Sequence, residues 1–434
     1  MNIFLRFKER MRRRCFILSL GLALVVLVYL NVRTTDELFC KDNFGVHRET
    51  PHITYSDKSI QSGNPNERLF SERRQKIEDR CDNISHIGKT TEFAIKSHLI
   101  IDNKHKLVYC FIEKNGCTFW KRVFQILNGF KNVSDPFDTQ AMDAYGGYQT
   151  AENMPFDTIH KALTSSTKFM FVRDPYERLL SGYVDKLFLP YAPYWFDLGR
   201  FIVDKFRQNS TSGALSCGDD VTFEEFIRYY IYSLKTGIRS DVHFSSNYEF
   251  CRPCEIKYDY VARMENFKDE TLFLLEKLNL SETIKIKDFD SETERDSIIN
   301  AVNWGFYVDK NVDNCTTKDK VLYKTYKKMQ IRGIISKDIP YPFSNVSTIE
   351  IDEYTKALLK ANADSGPREK RKLNRKEAFL EAYNSLPQDL FQELQNILSV
   401  DAALFGYESN PKIFIYKSKP INYQYFNTNR RQLN

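Results

Sequence analysis

A short segment near residue 114 combines residue types that hold a phosphate group. Lys114 supplies a positive charge, Gly116 lets the backbone approach a ligand closely, and Thr118 supplies a hydroxyl donor. The segment Lys114-Asn115-Gly116-Cys117-Thr118 lies between a strand-like run and a helical pattern. The first amides of such a helix carry the positive end of its dipole and favour an anion. The segment lacks the length and the Gly-Lys-Ser/Thr ending of an ATP-binding loop, so alone it also fits an ordinary turn with a surface lysine.

A second set of candidate residues follows another strand-like run. Arg173 stands at the end of that run, and Ser181 lies eight residues further on. Eight residues make slightly more than two helical turns, so Ser181 returns near the face on which the helix begins. The guanidinium of Arg173 suits a phosphate because its donors form a planar, fixed fork. Two anion sites on adjacent strand ends predict a nucleotide phosphorylated at both its 5′ and its 3′ position.

Two histidines are candidates for a general base. His160 lies just upstream of the second strand-like run, and His243 lies in a later polar segment. An imidazole that is neutral near pH 7 is suited to accept a proton from a hydroxyl group. Each histidine also fits a surface position or a structural hydrogen bond.

The Cys251-x-x-Cys254 pair has the spacing of zinc ligands. A structural zinc site needs four ligands, and the sequence shows neither a second cysteine pair nor a nearby histidine pair to complete one. Disulfide bonding is therefore the favoured interpretation, and no metal site is predicted.

The elements that must position these residues alternate between strands and helices. Short apolar runs predict buried strands at residues 106–112, 168–172 and 258–264. Helices are predicted to follow them, from residue 117, over 176–187 and over 268–278. Further helices are predicted over the charged residues 352–378, which include the basic run 368–376, and over 379–404. Alternating strands and helices predict an α/β domain with three layers and a central parallel sheet.

The N-terminus predicts a membrane anchor. Basic side chains cluster between residues 6 and 14, and an apolar run covers residues 15–32. Roughly 17–25 apolar residues span a bilayer, and basic residues before the span stay cytoplasmic. These features predict a single-pass type II protein; a cleaved signal peptide is the alternative, although no small-x-small cleavage site follows the run.

The remaining composition fits a lumenal domain. Six glycosylation sequons and eight cysteines outside the anchor favour a secretory, disulfide-permissive compartment. The net charge of +6 is compatible with attraction of lumenal polyanions such as glycosaminoglycans, and no nucleic-acid partner is predicted. The predicted organisation is a cytoplasmic tail (1–14), an anchor (15–32), a lumenal stem (33–100), a catalytic domain (101–410) and a C-terminal tail (411–434).

Four stretches of the chain resemble a known family. Residues 109–122 and 169–183 are similar to the 5′-phosphosulfate and 3′-phosphate binding motifs of Golgi carbohydrate sulfotransferases, most of all the chondroitin/dermatan 4-O- and HNK-1 sulfotransferases. Residues 241–260 and 404–407 are similar to further blocks of that family. The resemblance implies a membrane enzyme of the Golgi apparatus. It implies transfer of a sulfuryl group from 3′-phosphoadenylyl sulfate (PAPS) to a hydroxyl of a glycosaminoglycan or a glycoprotein glycan.

The resemblance also implies roles for individual residues. Lys114 would act in catalysis and, with the turn, hold the 5′-phosphosulfate; the turn residues are Asn115, Gly116, Cys117, Thr118 and Phe119. Arg173 and Ser181 would hold the 3′-phosphate, and His160 stands where related enzymes place a catalytic histidine. Glu113 replaces a proline that is usual in the family, which motivates an alternative: an inactive Golgi glycan-binding or structural protein on the same fold.

Overall fold

The central sheet has four short strands. A computed structural model describes residues 64–82, 96–309, 315–409 and 423–428. The strands are β1 (Leu99–Asp102), β2 (Leu107–Cys110), β3 (Thr167–Val172) and β4 (Tyr260–Arg263), and they lie in that order. The predicted parallel arrangement is confirmed for β2, β3 and β4, but β1 runs antiparallel to β2, so the sheet is mixed. The reason is local, because only a tight turn joins β1 to β2, and parallel strands need a long crossover.

Helices surround the sheet and form most of the C-terminal half. In chain order they are α1 (Pro65–Cys81), α2 (Cys117–Leu127), α3 (Phe156–Ser165), α4 (Pro175–Tyr183), α5 (Arg200–Phe206), α6 (Ser212–Cys217), α7 (Phe223–Thr236), α8 (Asn247–Cys251), α9 (Phe267–Lys277), α10 (Phe289–Asp309), α11 (Lys318–Ile331), α12 (Ile351–Ala363), α13 (Arg368–Asn384) and α14 (Gln388–Phe405). Shorter helical segments are Ala192–Tyr194, the π-helical Val184–Phe188 and Trp195–Gly199, and the 3-10 turns Pro136–Asp138, Ala141–Asp143, Ala151–Asn153 and Met264–Asn266.

Apolar side chains cover both faces of the sheet. Tyr109 and Phe169 pack on one face against α2 and α9, around the fully buried Trp120. Val108 and Met170 pack on the other face, in a cluster that α1, α3, α8 and α14 complete. Burial on both faces explains why the parallel strands read as continuous apolar runs.

The helix after β3 begins where the sequence predicts. Pro175 is its first residue, and the carboxylate of Asp174 caps it by accepting hydrogen bonds from the next two free amides, at 2.9 and 3.0 Å. The α-helix ends at Tyr183 rather than at residue 187, because residues 184–188 wind as a π-helix. This wider turn is the segment that carries Asp185.

The folded unit extends beyond the predicted catalytic domain, 101–410. Helix α1 and the first two residues of strand β1 lie in the region assigned to the stem, and both are packed. Arg73 of α1 donates to the Val261 carbonyl at 3.0 Å and pairs with Glu270 at 2.6 Å. Tyr425, from the predicted C-terminal tail, is 1% exposed in the core. The cytoplasmic tail, the anchor and the stem up to residue 63 lie outside the described residues. Within the described ranges, no helix combines the length and the apolarity that a bilayer crossing requires.

Among the described residues, three disulfides join distant parts of the chain: Cys81–Cys254, Cys110–Cys251 and Cys217–Cys315. Both cysteines of the Cys-x-x-Cys pair are therefore bonded to other partners, which confirms disulfide use and excludes the pair as zinc ligands. Among the described cysteines, Cys117 is free.

We expect the double substitution Cys110→Ala/Cys251→Ala to lower the free energy of unfolding by about 2–4 kcal/mol. The disulfide ties the end of β2 to α8 across 141 residues, so its loss frees the unfolded chain and loosens the turn that follows β2. Urea denaturation without reductant measures the change. Cys117→Ser, which breaks no cross-link, is the control; equal destabilisation by the two variants would contradict a cross-linking role.

Candidate active site

The turn after β2 has the backbone of an anion cradle. Lys114 and Gly116 both adopt left-handed conformations, with φ of 71° and 76°. A Cβ atom at Gly116 would lie 2.5 Å from the ring of Phe267, so glycine is required there. No side chain of the described residues caps the start of α2. Its first amides are therefore available to an anion.

The side chains of two predicted turn residues contact the protein interior. The buried Asn115 side chain donates from Nδ2 to the Phe171 carbonyl at 2.9 Å and to Asn247 Oδ1 at 2.7 Å, which fixes the turn to β3 and α8. The ring of Phe119 lies in the core, 5.6 Å from that of Phe267, so this residue offers only its backbone to a ligand. The remaining turn residues are partly exposed.

Lys114 belongs to a cluster of cations around one carboxylate. Its Nζ atom lies 2.8 Å from Asp185 Oδ2, while Nζ of Lys328 lies 2.7 Å from Oδ1 and Nζ of Lys186 lies 3.8 Å from Oδ2. Burial lowers the pKa of Lys114 to about 8, and Asp185 opposes that shift. Burial raises the pKa of Asp185, but the three lysines hold it well below its usual range. This group is called the lysine cluster below.

Arg173 belongs to a second cluster. Its Nη2 atom lies 3.0 Å from Glu177 Oε2, and the same oxygen accepts hydrogen bonds from Arg375 Nη2 at 2.7 Å and Nε at 3.1 Å. Burial raises the pKa of Glu177, but Arg375 and Arg173 hold it below its usual value. This group is called the arginine cluster.

One helix face carries both clusters. Glu177, Ser181 and Asp185 follow one another at intervals of four residues, so they lie on the same side of α4 and its π-helical extension. Eight residues of helix measure about 12 Å. Ser181, partly exposed, lies between the two clusters. The structure thus brings Lys114, Arg173 and Ser181 to one surface.

Arg178 joins this surface to the segment that carries His243. Its buried guanidinium donates to the carbonyl of Glu113 at 2.9 Å, to that of Ser245, and to that of Val242 at 3.5 Å. A single side chain therefore holds residues 242–245 beside the turn after β2.

His243 has the surroundings of a proton acceptor. Its Nδ1 atom lies 2.9 Å from Asp241 Oδ1 and 2.7 Å from the Tyr194 hydroxyl, which itself donates to Asp241 Oδ2 at 2.7 Å. Burial lowers the pKa of His243, Asp241 raises it, and the nearby Lys186 lowers it. With Nδ1 held by a carboxylate, a neutral imidazole presents Nε2 as the basic atom.

His160 lies elsewhere. It is exposed on α3, its ring is 6.5 Å from that of Phe156, and its carbonyl accepts a hydrogen bond from Thr164 at 3.0 Å. Among the described contacts, none joins it to the two clusters.

The Glu113 carboxylate is held by a histidine. His98 Nε2 lies 3.4 Å from Glu113 Oε2 in a largely buried pair. The charges that shift the pKa of Lys114 come instead from Asp185, Lys186 and Lys328. The unusual carboxylate therefore leaves the lysine cluster intact.

The sequence of the chain places it in a known class. A family-wide sequence model described as "Sulfotransferase family" matches residues 97–328, more than half of the 434 residues. The chain belongs to the sulfotransferase family.

Individual relatives are carbohydrate sulfotransferases by name. Carbohydrate sulfotransferase 11 of Mus musculus is 32% identical over 232 residues, which cover 52% of this chain and 66% of that protein. Carbohydrate sulfotransferase 9 of Homo sapiens is 29% identical over 237 residues (54% and 53%), and carbohydrate sulfotransferase 14 of Homo sapiens is 33% identical over 180 residues (41% and 46%). The alignments thus span less than two thirds of these relatives' own lengths. No solved structure matches the chain.

Proposed function

We propose that the protein transfers a sulfuryl group from PAPS to a carbohydrate hydroxyl. One observation carries the proposal: Lys114 and Arg173 contact carboxylates on the same face of α4 and its π-helical extension, with Ser181 between them. A surface with two cationic clusters joined by a hydroxyl suits a nucleotide with phosphates at both ends of its ribose. The membership of the sulfotransferase family makes PAPS the matching donor.

The residues of the site fit the donor. PAPS supplies the sulfuryl group: the acceptor oxygen bonds to sulfur as the bond from sulfur to the bridging phosphate oxygen breaks. Lys114 and the first amides of α2 would hold the 5′-phosphosulfate and stabilise the charge that develops on the leaving oxygen. Arg173 and Ser181 would hold the 3′-phosphate.

We assign the proton from the acceptor hydroxyl to His243 Nε2, with Asp241 stabilising the imidazolium. His243 is favoured over His160 because it contacts Tyr194, whose ring centre lies 5.2 Å from Nζ of Lys186 in the lysine cluster, whereas His160 is exposed on α3. A lowered pKa keeps the imidazole neutral at pH 7 and therefore ready to accept the proton.

Aromatic side chains beside the lysine cluster support a sugar acceptor. Nζ of Lys186 lies 4.6 Å from the ring centre of Tyr191. The ring centres of Tyr191 and Trp304 are 4.3 Å apart, and those of Trp304 and Tyr307 are 5.6 Å apart. Tyr307 is 49% exposed. Sugar rings present C–H faces that stack on aromatic rings, and the neighbouring lysines favour a polyanionic chain such as a glycosaminoglycan.

We also propose that the enzyme acts in the lumen of the Golgi apparatus, anchored by residues 15–32. Three disulfides fit an oxidising compartment. The sequon asparagines within the described ranges are exposed, at positions 132, 209, 279 and 345. Asn83 and Asn314 lie outside those ranges.

The direct test incubates the lumenal domain with 35S-labelled PAPS and a panel of glycosaminoglycans and glycoprotein glycans. We expect label in at least one carbohydrate, and binding of the desulfated product PAP by calorimetry. Absence of both transfer and PAP binding would refute the function and favour an inactive protein on this fold.

Donor binding should weaken as the pH rises from 7 to 9. The protonated amine binds phosphate, and a pKa of about 8 means that Lys114 loses its charge across this range. Calorimetry with PAP measures the change in affinity. Lys114→Arg is the control, because a guanidinium stays protonated throughout, so its PAP affinity should fall less steeply. Identical slopes for the two proteins would contradict the assignment of Lys114.

A further inference from the structure

The lysine and arginine clusters each contain a cation that comes from the C-terminal helices. Lys328 lies near the end of α11, and Arg375 lies on α13. Neither belongs to the turn after β2 or to the helix after β3, which together carry the predicted donor site. The segment matched by the family ends at residue 328, so α13 lies outside it.

Arg375 and Arg173 converge on one oxygen atom. Both guanidinium groups donate to Glu177 Oε2, at 2.7 and 3.0 Å. Two cations repel each other unless an anion lies between them. Moreover, Nε of Arg173 is buried and has no hydrogen-bond partner among the described residues. A buried donor without a partner is costly, so this atom points to a ligand with additional acceptor oxygens.

In the lysine cluster, Lys328 likewise shares a carboxylate with other cations. Its side chain is 2% exposed, and burial lowers its pKa while Asp185 raises it. The same carboxylate also serves Lys114 and Lys186. One negative charge is thus shared by three ammonium groups, which leaves this end of the surface positive.

The two clusters carry an excess of positive charge, as a site for an anionic donor requires. Five cations contact two carboxylates, an excess of three positive charges; the cations are Lys114, Arg173, Lys186, Lys328 and Arg375. A nucleotide with a 3′-phosphate and a 5′-phosphosulfate carries about four negative charges at neutral pH.

From these contacts, and resting on the proposed function, we propose that Lys328 and Arg375 form a second wall of the donor site. Arg375 pairs with Arg173 on the 3′-phosphate, and Lys328 pairs with Lys114 on the 5′-phosphosulfate. Glu177 and Asp185 keep these cations in place in the free protein. When the nucleotide binds, the cations donate part of their hydrogen bonds to phosphate oxygens instead of to the two carboxylates. The basic run at 368–376 thereby acquires a specific role through Arg375.

The test measures PAP affinity by calorimetry and the KM for PAPS and for the acceptor in Arg375→Ala and in the wild type. We expect Arg375→Ala to weaken PAP binding about tenfold and to raise the KM for PAPS by the same factor. This is the low end of the effect of losing a charge-assisted hydrogen bond, because Arg375 is partly solvated. The KM for the acceptor should stay unchanged, and Arg375→Lys should restore part of the affinity. Lys376→Ala, which removes an exposed neighbouring charge, is the matched control.

A second variant separates donor binding from a purely structural ion pair. Glu177→Gln keeps an acceptor oxygen for the two arginines but removes the charge that competes with phosphate for them, so PAP binding should tighten. Equal weakening of PAP binding by Glu177→Gln and Arg375→Ala would show that Arg375 only positions Glu177, and would overturn the proposal. Wild-type affinity in Arg375→Ala would also overturn it while leaving the proposed function intact. Failure of the wild type to bind PAP would instead refute the proposed function.

Discussion

Lys114→Ala should reduce kcat for sulfuryl transfer by roughly 10²–10³-fold, the loss typical of removing one group that stabilises charge in a transition state. Lys114 adopts a left-handed backbone conformation in the turn just before α2, and its amine donates to Asp185 at 2.8 Å. Negative charge on the leaving phosphate grows as the bond to sulfur breaks. An amine fixed at that point therefore acts more strongly on the transition state than on bound PAPS. Steady-state kinetics with labelled PAPS measures the effect.

The matched control is Lys104→Ala. Lys104 is an exposed lysine in the turn between β1 and β2, so its loss removes the same charge from a neighbouring turn. We expect near wild-type kcat for this variant, and native melting temperatures for both proteins. A Lys114→Ala enzyme that folds and turns over like Lys104→Ala would remove Lys114 from catalysis.

His243→Ala should lower kcat by roughly 10²–10⁴-fold, the usual contribution of a general base. Its imidazole is oriented by Asp241 at 2.9 Å and by Tyr194 at 2.7 Å, and burial keeps it neutral at pH 7. The affinity for PAP should change little, because His243 would contact the acceptor rather than the donor. Kinetics and calorimetry on the same protein separate the two effects.

His160→Ala is the comparison for this prediction. His160 is exposed on α3, and its contacts lie within that helix. We expect kcat within a factor of about two of wild type, since surface substitutions of this kind are nearly neutral. A large loss in His160→Ala together with normal turnover in His243→Ala would reverse the assignment of the base.

Local signals predicted the parts of the fold that depend on adjacent residues. The apolar runs located β2, β3 and β4, and the Asp174-Pro175 pair located the start of α4. Strand β1 escaped prediction because its four residues follow a polar region that resembles a stem. Its pairing with β2, which comes later in the chain, makes it a strand.

The candidate site also combines residues that local motifs predict with residues that come from distant parts of the chain. The turn at Lys114 and the helix at Arg173 have sequence motifs, but Lys328 and Arg375 reach their partners from 143 and 198 residues away. No local pattern marks them, because a lysine or an arginine on a charged helix usually faces solvent. The choice between His160 and His243 also depends on position in space, since both are isolated histidines in the sequence.

Binding of three nucleotides to two variants would decide whether one ligand bridges both clusters. PAP, adenosine 5′-monophosphate and adenosine 3′-monophosphate are titrated by calorimetry into the wild type, Lys114→Ala and Arg173→Ala. We predict that both substitutions weaken PAP binding, that only Lys114→Ala weakens the 5′-monophosphate, and that only Arg173→Ala weakens the 3′-monophosphate. If PAP affinity responded to just one substitution, or if both substitutions affected the same monophosphate alike, Lys114 and Arg173 would not hold opposite ends of one nucleotide.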